Sequence, residues 1–211
     1  MTGELALSLK TTKAIFCHIP KTAGTSIFWE IDAATRNVAN FHTWKGHVTG
    51  LARKERLTEI MGYDQGCILW KNAFTFTFIR NPWDRLVSVY HFISKLTPDS
   101  IESFDQWVHE GLPITDHARQ LFRGDDKRTF LDQEAWFCDI DGTELVEFVG
   151  RFERVQQDWQ TVCKKLHIAP SILRHVNQGN HKPYKQHYTL ETKKIVAGRF
   201  GDFIERYKYQ F

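Results

Sequence analysis

The sequence lacks any long apolar run. No stretch of its 211 residues approaches the ~20 consecutive apolar residues of a membrane-spanning helix, so no membrane span is expected. The N-terminus MTGELALSLKTTK has neither a basic start nor an apolar core, so no secretion signal is read there and a cytoplasmic protein is expected. Cysteine is scarce and unpaired in pattern. Cys17, Cys67, Cys138 and Cys163 form no CxxC, which argues against a zinc site. Cys17 and Cys163 sit in apolar runs and read as small buried thiols. An excess of one charge is also missing, with 28 Lys and Arg against 25 Asp and Glu. Anion binding must therefore come from a local cluster, and nucleic acid is not an expected partner. There is no internal repeat and no low-complexity segment. The length suits one domain over residues 1–211, and the 16 Phe, 7 Trp and 6 Tyr suit a packed core.

The nucleotide-triphosphate loop GxxxxGK[ST] is absent as well, although something near it is present. Ala14 to Ile19 is a short apolar run stopped by Pro20, and it reads as a buried strand, parallel by its pattern. Lys21 and the small and hydroxyl residues Thr22, Ala23, Gly24, Thr25 and Ser26 follow. A helix comes next, capped by Thr25 or Ser26, with Ile27, Ile31 and Ala34 inward. A strand entering a helix through a tight loop aims free backbone N–H groups at one point, which favours an anion. Gly24 permits close backbone approach, the hydroxyls add donors and Lys21 adds a full charge. The plain alternative is an ordinary turn with a surface lysine. Here the lysine precedes the glycine, whereas the triphosphate loop places it after.

Residues 36 to 66 read as polar and irregular, with a helix near Leu51 to Met61. Phe74 to Ile79, FTFTFI, alternates aromatic and threonine residues and predicts a strand. In the following RNPWDRLVSVYHFISKL, Asn81 is an N-cap, Pro82 suits the first helical position and Asp84 favours the helix dipole. Leu86, Val87, Tyr90 and Ile93 supply the apolar face. Arg80 thus falls at a strand's carboxyl end, where open α/β sheets bind ligands, and Ser88 lies two turns into the helix. An arginine there can grip a phosphate with paired hydrogen bonds. Ser103 caps a short helix ending at Gly111. Trp136 to Ile140, Asp141-Gly142 and Leu145 to Phe152 read as a hairpin. Val155, Trp159, Val162, Cys163 and Leu166 make a helical stripe, residues 170 to 188 a loop, and Thr189 caps a last amphipathic helix. The order of elements favours an α/β fold with a central parallel sheet.

HIPKTAGTS and RNPWDRLVSVY together resemble the two donor-binding motifs of sulfotransferases that use 3′-phosphoadenosine 5′-phosphosulfate (PAPS). The likeness is nearest to the membrane-type carbohydrate enzymes, in particular the heparan sulfate 2-O-sulfotransferase branch and its small bacterial relatives. It extends more weakly through VEFVGRFERVQQDW and YTLETKKIVAGRFGDFIERYKY. The resemblance implies a P-loop kinase-like three-layer fold in which the first loop cradles the 5′-phosphosulfate. It implies that Lys21 neutralises the leaving oxygen, that Arg80 and Ser88 hold the 3′-phosphate, and that no metal takes part. The product would be adenosine 3′,5′-bisphosphate (PAP), and the acceptor a hydroxyl, by family a carbohydrate's.

The attacking hydroxyl must lose a proton, and histidine suits that task. FHTWKGHVTG offers His42 and His47, and Gly46-His47-Val48 stands where the 2-O-sulfotransferase relatives carry their base. Those relatives have a second histidine where this chain has Lys45. Glu30, on the helix after the loop, is the rival base. His18 either lines the site or only finishes the strand, and His91 reads as structural or solvated. In NQGNHKPYKQHY, which resembles the family's late capping segment, Lys182 or Lys185 can reach the 3′-phosphate and Tyr184 can pack on adenine. Lys45, Arg53, Lys54, Arg56, Arg119, Arg123, Lys127 and Arg128 either meet an anionic glycan or form solvated faces. A small-molecule kinase and a non-catalytic binding module are the competing functions.

Overall fold

A computed structural model of the protein describes residues 14–35, 49–98, 103–121, 130–173 and 182–211. Strand β1 (Ala14–Cys17) leads through a loop into helix α1 (Gly24–Thr35). Helices α2 (Gly50–Met61) and α3 (Tyr63–Asn72) precede β2 (Phe74–Ile79), which runs into α4 (Pro82–Leu96). Short helices α5 (Phe104–His109) and α6 (Asp116–Leu121) come before β3 (Phe148–Arg151) and α7 (Val155–Leu166). The chain finishes with α8 (Leu190–Arg199) and α9 (Gly201–Arg206).

The described strands form one parallel sheet in the order β1-β2-β3. Ala14 pairs with Phe74, and Phe76 with Phe148. Because strand side chains alternate between faces, each strand feeds two cores. Phe16, Phe76, Phe78 and Phe148 face α1 and α7, where they pack with Ile27, Trp159 and Val162. Phe16 and Phe76 stack with ring centroids 4.9 Å apart. Ile15, Cys17 and Ile79 face the opposite side, against α4, Leu57 of α2 and Val196 of α8. Strands covered on both faces explain the unbroken burial of FTFTFI. Its threonines still have partners: the Thr77 hydroxyl donates to the Cys17 carbonyl at 2.7 Å. The expected three-layer α/β arrangement with a parallel central sheet is therefore present.

Several local expectations need correction. Helix α1 begins at Gly24, and Ala23 accepts its first bond from Ile27 N–H at 3.1 Å. Thr25 and Ser26 therefore lie inside the first turn and are not its cap. Strand β1 stops at Cys17, which leaves His18 and Ile19 in the loop. Residues 63–66, read as irregular, begin α3. The expected hairpin is reduced to one antiparallel bridge, Cys138 with Glu144. Its second arm leaves to pair in parallel with β2, held by Glu147 N–H donating to the Thr75 carbonyl at 2.9 Å. The last helix is two, broken at Phe200. The Asn81, Ser103 and Thr189 caps form as expected, and all four cysteines are free thiols.

Because all three strands are parallel, their carboxyl ends lie along one edge of the sheet. The loop after Cys17, Arg80 and Phe152 emerge there side by side.

Candidate functional site

The loop from His18 to Ala23 turns sharply, and it does so without glycine at its tightest points. Lys21 and Ala23 both have φ of 68°, with Thr22 between them outside the left-handed region. Left-handed backbone at a residue bearing Cβ costs on the order of 1–3 kcal/mol, so the surroundings must hold it. They do so through the carbonyls. Thr22 Oγ1 donates to the Ile19 carbonyl at 2.9 Å. Arg85 Nε donates to the Pro20 carbonyl at 3.0 Å, and Arg80 Nη1 to the Lys21 carbonyl at 3.2 Å. Three successive acceptors are thereby occupied. The N–H groups of Lys21, Thr22, Ala23, Gly24 and Thr25 bond to no acceptor among the described residues. A loop with satisfied carbonyls and unspent N–H groups at a helix start is an anion nest. Thr22 is fully buried with its hydroxyl committed, so it offers the nest its N–H alone.

Gly24 is required by contact rather than by φ. A Cβ there would lie 1.8 Å from the His18 imidazole, which packs across the helix start and stacks on Phe16 at 5.4 Å. His18 thus forms one wall of the loop.

The Lys21 ammonium lies 4.9 Å from the centroid of Phe92. Burial first, then the positive charges of Arg80, Lys95 and Arg85, lower its pKa to about 8. Among the described residues this half-desolvated cation has like charges about it and no carboxylate paired with it, and an incoming anionic group would supply a counter-charge.

Arg80 is gripped from every side. Gln133, itself buried, accepts from Arg80 N–H at 2.9 Å and donates to the Arg80 carbonyl at 2.7 Å. The guanidinium lies 3.9 Å over the Phe152 ring, and its Nε donates to Asp84 at 2.8 Å. Nη2 bonds to no described residue, so one edge of the fork is available. Asp84, Ser88, Phe92 and Lys95 are spaced to share one stripe of α4. Asp84 reaches Arg80 at one end, and Phe92 reaches Lys21 toward the other. Ser88, half-buried, lies on that stripe between them.

The late segment also comes to this edge. A turn of 3₁₀ helix, Tyr184–His187, packs on the start of α4, and Tyr188 Oη donates to the Trp83 carbonyl at 2.9 Å. Burial, then Asp84 and Glu153, raise the Tyr184 pKa, so its phenol shares a neighbourhood with Arg80's partner. Lys185 is exposed and donates to the Phe211 main-chain oxygen at 3.2 Å. The His91 ring lies 5.1 Å from that of His187.

The two base candidates fare differently. Glu30 is half-buried, and its charge acts on Cys163 of α7; it is not among the groups that shift Lys21. His47 lies outside the described residues, as do His42, Lys45, Gly46, Val48, Arg123, Lys127 and Arg128. The chain re-enters at Thr49 and Gly50, both buried, and a Cβ on Gly50 would lie 3.3 Å from Cys17 Sγ at the carboxyl end of β1. Arg53, read as meeting an anionic glycan or lying on a solvated face, is buried beside Cys17. Burial raises the Cys17 thiol pKa to about 11, with the Arg53 charge opposing.

Sequence reading missed Arg85, Gln133, Phe92 and Phe152, and it gave Asp84 only a helix-dipole role. Arg85 has a signal in retrospect, since it stands in the buried stripe with Leu86 and Val89. It is enclosed and donates also to the Leu131 and Phe130 carbonyls at 2.6 and 2.8 Å. Gln133 has no signal, because its contact joins residues 53 apart in sequence.

A cavity of about 800 Å³ lies elsewhere, lined by Asp132, Glu134, Asp139, Asp202, Glu205 and Arg206 among others. Five carboxylates against one guanidinium repel an anion, so this is not a phosphate site. Among the described residues, no group of three or more His, Cys, Asp or Glu gathers as a metal site, and no helix is long and apolar enough to cross a membrane.

Residues 7–198 match the family model described as the Sulfotransferase family. A comparison with curated proteins found no match.

Proposed function

This chain belongs to the sulfotransferase family, and we propose that it moves the sulfuryl group of PAPS to a hydroxyl, in the first instance a carbohydrate's. The observation that carries this reading is the pairing of two anion sites on one sheet edge. The nest at Lys21–Thr25, with its lysine, suits a 5′-phosphosulfate. The Arg80 fork, one strand away, suits a 3′-phosphate, which ATP does not have. The residues fit the donor: the nest's acceptors are spent internally, and Arg80 keeps an edge for a ligand.

PAPS, when bound, supplies an activated sulfuryl group on a phosphate leaving group. The backbone of Thr22, Ala23, Gly24, Thr25 and Ser26 holds its 5′ end. Lys21 keeps its ammonium at the leaving oxygen and offsets the charge that grows there, an effect preorganised by the buried loop. Arg80 and Ser88 hold the 3′ end, Lys185 closes over it, and Tyr184 packs beside. His47 takes the hydroxyl proton, because Gly46-His47-Val48 stands where the 2-O-sulfotransferase relatives carry their base. Glu30, on the helix after the loop, ranks second. The branch we favour is the heparan sulfate 2-O-sulfotransferase-like one, in a small bacterial form.

Calorimetric titration of PAP against ATP, with and without magnesium, tests the donor. We expect micromolar, magnesium-independent PAP binding that is lost in Arg80→Ala, and His47→Ala that binds PAP normally yet fails to turn over. Preference for ATP with magnesium would sink the donor reading, and full turnover by His47→Ala would sink the base.

A further inference from the structure

We infer that Gln133 is a positioning residue that gives Arg80 its selectivity for a 3′-phosphate, an inference that rests on the donor reading above. The side-chain amide of Gln133 satisfies both main-chain groups of Arg80, accepting at 2.9 Å and donating at 2.7 Å. One residue thus replaces the sheet ladder at the point where β2 has ended and α4 has not begun. No local main-chain hydrogen bond fixes the Arg80 backbone there, because the helix ladder starts only with Arg85 N–H donating to the Asn81 carbonyl at 2.8 Å.

The guanidinium depends on that anchor. Asp84 holds its Nε and Phe152 lies beneath it, leaving Nη2 for a ligand. A phosphate gripped by a planar fork demands that the fork be placed within a fraction of an ångström. Gln133 also belongs to a run that is bolted to the other motif. The adjacent Phe130 and Leu131 carbonyls accept from Arg85, whose Nε holds the Pro20 carbonyl of the nest. Phe130–Gln133 therefore braces the two proposed anion sites at a fixed spacing, through the Gln133 side chain and the Phe130 and Leu131 carbonyls.

The test compares PAP with adenosine 5′-monophosphate, which lacks the 3′-phosphate, by calorimetry. Gln133→Met keeps the side-chain bulk and removes both hydrogen bonds. We expect PAP affinity to fall about tenfold while monophosphate affinity holds, so the preference for the 3′-phosphate narrows. In an Arg80→Ala background the preference for PAP over the monophosphate should already be gone, and Gln133→Met should narrow it no further, because its effect runs through the Arg80 side chain. If Gln133→Met does not fold, Gln133→Glu serves: it still accepts from Arg80 N–H but cannot donate to the carbonyl, and about a threefold narrowing is expected. An unchanged preference in a folded variant, or an equal loss for both nucleotides, overturns the inference. A wild-type protein that shows no preference for PAP overturns the donor reading, and this inference with it.

Discussion

On the proposed mechanism, the balance of burial and charge at Lys21 sets a pH limit on the reaction. Only the ammonium can offset charge on a leaving oxygen. Desolvation and the neighbouring Arg80, Lys95 and Arg85 favour the neutral amine, so the proton leaves near pH 8 in place of the ordinary 10.5. The kcat/KM profile, which reports the free enzyme, should fall as pH rises through about 8, and Lys21→Ala should abolish that limb and lower kcat by about 10²–10³. A limb near pH 10 would show the lysine to be solvated. The sign for stability is opposite. Between about pH 8 and 10.5 the unfolded chain binds the proton that the folded chain has released, so stability rises with pH across that window. Gly24 offers a second residue-scale check. Gly24→Ala forces the His18 ring aside, since the new methyl would lie 1.8 Å from it. A loss of about 1–3 kcal/mol in urea unfolding is expected, with weakened PAP binding, and His18→Ala should relieve part of it. Unchanged stability and binding would mean that His18 swings away freely.

Among the elements, α4 carries much of the proposed site, and its buried Arg85 ties it to the β1 loop. The guanidinium donates to three carbonyls contributed by the β1 loop and the 130–131 segment. Burial lowers its pKa to about 9, with Asp132 opposing and Arg80 reinforcing, so it stays charged at neutral pH. Arg85→Met removes a costly buried charge yet strands three buried acceptors. A net loss of about 3 kcal/mol is expected in urea denaturation, together with loss of PAP binding. A variant of full stability would show that the loop holds its own shape. The α2–α3 pair shows what a sequence hides at this scale. A Cβ on Gly66 would lie 2.7 Å from the Thr58 backbone, so glycine is there to let two helices touch. Read along the chain, a mid-helix glycine weakens a helix. The close approach that justifies it is between elements.

Across the whole molecule, the sheet edge joins segments from both cores, so a ligand spanning it should stabilise the entire fold. PAP at 100 times its Kd adds about 2.7 kcal/mol by mass action, which predicts a melting shift of about 5–10 °C for a chain of this size. Adenosine 5′-monophosphate at the same concentration should shift it less. An equal shift with both nucleotides would argue that Arg80 does not read the 3′ end.

The two motifs of the proposed site were legible in the residues, since a lysine beside small and hydroxyl residues, and an arginine before Asn81-Pro82, announce a tight loop and a helix start locally. The FTFTFI strand and the Asn81, Ser103 and Thr189 caps were legible for the same reason, because periodicity and capping act within a few residues. Other features came only from tertiary structure. The left-handed backbone of Lys21 and Ala23 is held by Arg80 and Arg85, some sixty residues on. The parallel path of β3, in place of the expected hairpin arm, was decided by pairing with β2. Phe152 reaches Arg80 because the ends of β2 and β3 lie side by side, and Gln133 because the 130–133 segment packs against that edge. Sequence determined which groups can bind an anion, because that is a property of side chains and short turns. Tertiary packing decided which of them are held still, because the partners that hold them lie far along the chain.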